Sequence, residues 1–93
     1  MRKRWWGGTG RRVPELAVEG DSAVPVEEAL VLDDVSDLQT IAEAFEAGRP
    51  VVVRAASSDE VRTALARPEV AAVLVPEERR ELLELDLTEL TYG

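Results

Sequence analysis

The chain has no cysteine and no histidine. Without cysteine it forms no disulfide and no thiolate metal site, and cysteine usage says nothing about its redox compartment. Without histidine it lacks the commonest general base, the commonest metal ligand and the usual switch near neutral pH. Lysine occurs once, at Lys3, so a Ser–Lys nucleophile would have to recruit that residue. Aromatic residues make up only 4% of the chain, leaving a core of Val, Leu and Ala and no flat aromatic-lined pocket. No apolar run approaches the ~18 residues of a membrane span. The basic start is followed by glycines rather than by the apolar core of a signal peptide. These absences lead to the expectation of a non-enzymatic, cofactor-free, cytoplasmic protein, at most peripheral at a membrane.

Charge is present but unevenly distributed. Arg2, Lys3, Arg4, Arg11 and Arg12 give residues 1–12 five cations and no acid. The other 6 basic residues stand against all 19 acids, so a body of −13 carries an arm of +5 within the net −8. Trp5 and Trp6 lie inside the basic segment, which Gly7, Gly8 and Gly10 deprive of any regular period. The reading is a flexible arm over residues 1–12 on an α/β domain over 13–93. Such an arm is expected to contact an anionic membrane surface, nucleic acid, a partner protein or the acidic face of its own body. The alternative is that it folds back and its tryptophans cover part of the core.

Ninety-three residues make one domain. Residues 13–28 allow either a short hairpin, with Pro25 on its edge strand, or a docked extended segment. Residues 29–32 are wholly apolar, as in a strand buried on both faces. Ser36 and Gln39 have capping-box spacing, and Leu38, Ile41, Ala42 and Phe45 recur at i, i+3, i+4, i+7, which predicts one inward helical face. Gly48 fits the position just past the helix, and Val51, Val52 and Val53 predict a central parallel strand. Ser57 with Glu60 is a second capping box, Val61, Ala64 and Leu65 a second inward stripe, and Pro68 the stop. Residues 70–75 form a third apolar run. Pro76 suits the first position of a third helix, with Glu77 and Glu78 in its first turn; residues 83–92 either continue that helix or make a fourth strand, the favoured reading being helix to about Glu84 and then an extended end. The order β-α-β-α-β-α predicts an α/β fold with a three-to-four-stranded, mostly parallel sheet. A fourth strand would come from residues 13–27, from the tail, or from a second copy, and open sheet edges favour self-association.

Among side chains able to do chemistry, Asp33 and Asp34 stand where a parallel sheet gathers ligands and are the candidates for a Mg²⁺ site. With Leu32 they resemble the acidic pair closing the first strand of phosphoryl-accepting receiver domains. The third apolar run, however, ends at Val75 and Pro76 without an acceptor aspartate. The competing reading is loop solvation and helix capping. Ser57 and Ser58 sit at a helix start but lack the glycines and lysine of a phosphate loop, and Asp59 and Glu60 would repel an anion. Glu77, Glu78, Glu81, Arg79 and Arg80 read as a solvated helix face.

Residues 29–55, above all Phe45 through Val53, resemble the first half of the SepF family of bacterial cell-division proteins. That resemblance implies an α/β core that polymerises, binds the tubulin-like division protein and follows a membrane-targeting segment. The turn and two further strands of that family's second half are not found, and no binding residue is carried over. The expected role is an adaptor or assembly module using Arg2, Lys3, Arg4, Trp5, Trp6, Arg11 and Arg12. A nucleic-acid accessory protein using the same arm, or a degenerate receiver-like Mg²⁺ domain, are the alternatives.

Overall fold

The computed structural model describes residues 3–84. The α/β architecture is the expected one, with a four-stranded, all-parallel sheet at its centre. Strands β1 (Lys3–Trp5) and β2 (Arg12–Pro14) form an antiparallel hairpin. The main sheet holds β3 (Leu16–Val18), β4 (Leu30–Leu32), β5 (Val51–Arg54) and β6 (Ala72–Val75), in the spatial order β3-β6-β5-β4. Helix α1 (Leu38–Glu46) joins β4 to β5, and α2 (Ser58–Leu65) joins β5 to β6. The fourth strand therefore comes from residues 13–27, but as a parallel neighbour of β6 and not as half of a hairpin with residues 24–26.

The connection order decides what covers each face. From β4 through β5 to β6 the chain steps in one direction, so right-handed crossovers lay α1 and α2 on the same face. Val51, Val53, Val73 and Val75 pack there against Ile41, Val61, Ala64 and Leu65. The step from β3 to β4 runs the opposite way, edge to edge, and residues 19–29 cross the other face. They contain a single 3-10 turn, Val26–Glu28, and no α-helix. That thin crossing leaves sheet surface to cover, and the N-terminal hairpin covers it. Trp6 and Val13 join Val24 over Val52, Ala72 and Leu74, with Trp6 fully buried. Alternate residues of β5 and β6 thus serve two cores, which is why both strands read as unbroken apolar runs.

The helices correct the sequence reading in detail. Helix α1 opens one residue later than Ser36 predicts. Asp37 is its N-cap, accepting from the Thr40 amide at 3.1 Å and from the Thr40 hydroxyl at 2.6 Å. Ser36 is instead held by Asp34, which accepts from both its amide and its hydroxyl. A carboxylate is the stronger acceptor, so it takes the orphan amides. The inward face of α1 is Ile41 and Ala44, while Leu38 and Phe45 are about half exposed. At 3.6 residues per turn the predicted stripe lies about a quarter turn away from the face that meets the sheet. In α2, Ser57 caps as expected, accepting from the Glu60 amide at 3.2 Å, and Val61, Ala64 and Leu65 are the buried set. Gly48 follows α1 at φ 76°, the left-handed position a glycine fills without strain. The third helix is a 3-10 segment, Glu77–Glu84, interrupted at Arg79 and burying only Leu82, with no stripe to hold a regular α-helix. The expected extended tail lies outside the described residues.

Candidate partner-binding surfaces

The basic segment, expected as a flexible arm, is a docked hairpin in residues 3–14, so the boundary expected after residue 12 falls inside β2. Its tip is held locally. The Trp6 amide donates to the Arg11 carbonyl at 2.7 Å, and the Thr9 hydroxyl donates to the Trp6 carbonyl at 2.7 Å. Gly7, at φ 54°, lies so close to the turn after α1 that a Cβ there would stand 2.5 Å from the Gly48 carbonyl oxygen. The Gly8 amide donates to that same oxygen at 2.8 Å. The glycines read as flexibility in the sequence are what allow this close backbone contact.

Strand alternation divides the seven candidate arm residues. Arg4 points inward. Its Nε donates to Glu15 Oε2 at 3.0 Å, and its terminal nitrogens donate to the carbonyls of Leu65, Arg67 and Val70. Those carbonyls lie at and just beyond the C-terminal end of α2, where unpaired acceptors and the negative end of the helix dipole favour a cation. Glu15 is buried, so Arg4 gives its charge a partner. Trp6 is wholly inside, its Nε1 without a hydrogen-bond partner. Lys3, Trp5 and Arg12 face outward. Trp5 is 58% exposed, and the Arg12 guanidinium lies over its ring at 4.6 Å. Arg11 is also outside and pairs with Glu28. Arg2 lies outside the described residues.

Contacts at Gly48, Pro50, Leu65 and Val70 anchor the hairpin at the amino ends of the parallel strands. The opposite pole is acidic. An open cleft of about 710 Å³ lies at the carboxyl ends of the strands, with Ala55, Leu74 and Pro76 as apolar floor and Glu19, Glu77 and Glu78 among its acids. Arg54 spans it, its guanidinium 3.0 Å from Glu19 and 4.0 Å from Asp33. Asp33 and Asp34 do reach this end of the sheet, lining a smaller pocket of about 180 Å³ beside Asp59 and Glu60. Asp34 is engaged with Ser36, however, and among the described residues no three carboxylates converge on one ion position.

Among the described residues, three carboxyls are held below their ordinary range. The Ser36 hydroxyl and amide do this for Asp34, the Thr40 hydroxyl and amide for Asp37, and the Arg79 side chain for Glu81. A general acid at neutral pH needs the opposite displacement. The Glu77–Glu84 cluster is solvated, with Arg79 2.7 Å from Glu81 and Arg80 4.0 Å from Glu77.

The cleft was not readable as a unit, because Glu19, Arg54 and Glu77 meet only through the strand order. The inward role of Arg4 was equally hidden, since its acceptors are carbonyls more than sixty residues away. No family model matches the chain, and no curated protein or solved structure matches it significantly. No helix among the described residues is long and apolar enough to cross a membrane.

Proposed function

We propose that the chain is a non-catalytic assembly module that grips an acidic protein partner with the outer face of its N-terminal hairpin. The observation that carries this reading is the exposed Trp5–Arg12 pair with Lys3 beside it, on a two-stranded hairpin whose other face is committed to the fold. An indole exposed to this extent contributes nothing to the chain's own core. Held by a guanidinium on a two-stranded ribbon, it loses little conformational freedom on binding, which favours affinity. Trp and Arg are also the side chains that most often dominate protein interfaces. The stretch resembling the SepF family forms β4, α1 and β5 and supplies none of these residues, so the reading rests on the hairpin alone.

The test is fluorescence of Trp5 in a Trp6→Phe background, titrated separately with an acidic polypeptide, anionic vesicles and single-stranded DNA. A change with the polypeptide that Arg12→Ala removes supports the assembly reading. A response to DNA alone replaces it with the nucleic-acid accessory role, and a response to vesicles alone with a peripheral membrane role. Silence toward all three removes the hairpin as a binding surface for anions.

A further inference from the structure

The molecule carries both halves of one interface at opposite ends of its parallel sheet. At the amino pole an indole and a guanidinium stand together in solvent. At the carboxyl pole an open cleft has an apolar floor and an acidic rim. The floor of Ala55, Leu74 and Pro76 suits the flat face of an indole, and Glu77 and Glu78 suit the guanidinium lying on it. Building on the hairpin reading, we propose that the acidic partner is a second copy of this chain, whose carboxyl-end cleft receives the Trp5–Arg12 face of its neighbour.

The charge pattern favours this occupant. Lys3 and Arg12 lie at the hairpin end, where Arg11 is already paired with Glu28, whereas Glu19, Asp33, Glu77 and Glu78 lie at the cleft end. A head-to-tail contact joins unlike poles and keeps like poles apart, in spite of a net charge of −8 on each copy. Because hairpin and cleft sit at opposite ends of the strands, neither fills the other within one copy. The contact is therefore heterologous, and each added copy presents a free cleft and a free hairpin, so growth is open-ended unless the rotation closes a ring. With Glu19 held by Arg54 and Glu77 more loosely by Arg80 at 4.0 Å, Glu78 is the first rim acid for an incoming cation and Glu77 the second.

The experiment uses the full chain in sedimentation velocity, with two charge-removing variants. Trp5→Ser with Arg12→Ser disables the hairpin, and Glu77→Gln with Glu78→Gln disables the cleft. All four positions are exposed, so the variants fold, which the shielded emission of Trp6 in the first and circular dichroism in both verify. The wild-type chain is expected to sediment as species that grow with concentration and shrink as salt rises, since the pairing is between exposed charges. Each variant alone stays monomeric. An equimolar mixture of the two yields a dimer and nothing larger, because only one intact hairpin meets one intact cleft. A wild-type chain that is monomeric throughout overturns the proposal, as does association that persists unchanged in either variant, or a mixture that stays monomeric. A monomeric wild-type chain that still binds an acidic polypeptide through Trp5 overturns self-association while leaving the hairpin reading in place. A chain that does neither removes both.

Discussion

Replacing Trp6 by alanine tests whether the N-terminal hairpin is a structural layer. Full burial of an aromatic side chain removes roughly 150–250 Å² from water, worth about 4–6 kcal/mol of transfer free energy at about 25 cal/mol per Å². Part is offset, because the Trp6 Nε1 has no partner and a buried orphan donor costs about 1–3 kcal/mol. The expected loss for Trp6→Ala is thus about 3 kcal/mol, the lower end of the range for buried tryptophan truncation. A chain of 93 residues has a total stability of roughly 5–14 kcal/mol. At about 4–8 °C per kcal/mol, the melting temperature should fall by about 12–24 °C. Trp5→Ala is the internal control. It loses a solvent-exposed ring and one cation–π contact, worth below about 1 kcal/mol. Trp6→Phe keeps most of the packing and deletes the orphan donor, so it should cost less than about 1.5 kcal/mol. Urea unfolding followed by circular dichroism reads all three. Equal and small effects of Trp5→Ala and Trp6→Ala would refute the packing argument.

Arg4→Met strands Glu15 and takes a donor from the carbonyls of Leu65, Arg67 and Val70, of which that of Arg67 keeps the Val70 amide, and should cost about 3–5 kcal/mol in urea unfolding, with Arg4→Lys recovering little because an ammonium cannot reproduce the guanidinium fork. Gly7→Ala must move the turn after α1 and should lose about 2–4 kcal/mol, whereas Gly10→Ala, with nothing within 4 Å of its Cβ, should lose only the about 1–2 kcal/mol of its positive φ. Ser57→Ala removes the α2 cap and should cost about 1 kcal/mol, while Leu38→Gln and Phe45→Gln, whose side chains are only about half covered, should each cost no more than about 1 kcal/mol. Asp34 and Asp37 have folded pKa values below their unfolded ones, so their contribution is present above the ordinary carboxylate range and is lost as pH falls through the depressed folded values. Carbon-detected NMR titration should find both carboxyls titrating below a model aspartate, and normal titration would contradict the hydrogen bonds to Ser36 and Thr40.

What could be read in advance was whatever local chemistry decides. Ser57 and Glu60 are three apart and cap α2. Gly48 can take a positive φ and ends α1, and the valine runs become the strands of a doubly covered sheet. Where several residues compete, the reading slipped. Ser36 and Asp37 both suit an N-cap, and the carboxylate won. Leu38, Ile41, Ala42, Ala44 and Phe45 spread apolar side chains over nearly half the circumference of α1, so the spacing could not say which side meets the sheet. The hairpin depends on distant partners. Arg4 finds acceptors beyond Leu65, Trp6 packs on Val52 and Leu74, and Gly7 meets Gly48. No local pattern records those meetings, and the same holds for the cleft, whose acids follow four different strands.

The central claim is that the basic N-terminal segment is a folded layer with one face inward and one face free. The most direct test is the emission and acrylamide quenching of Trp6 alone, in the Trp5→Phe variant, set beside Trp5 alone in Trp6→Phe. The structure predicts a blue-shifted, quencher-shielded Trp6 and a water-like, readily quenched Trp5. Water-like, fully quenched emission from both would mean that the segment is a free arm, and would contradict the account.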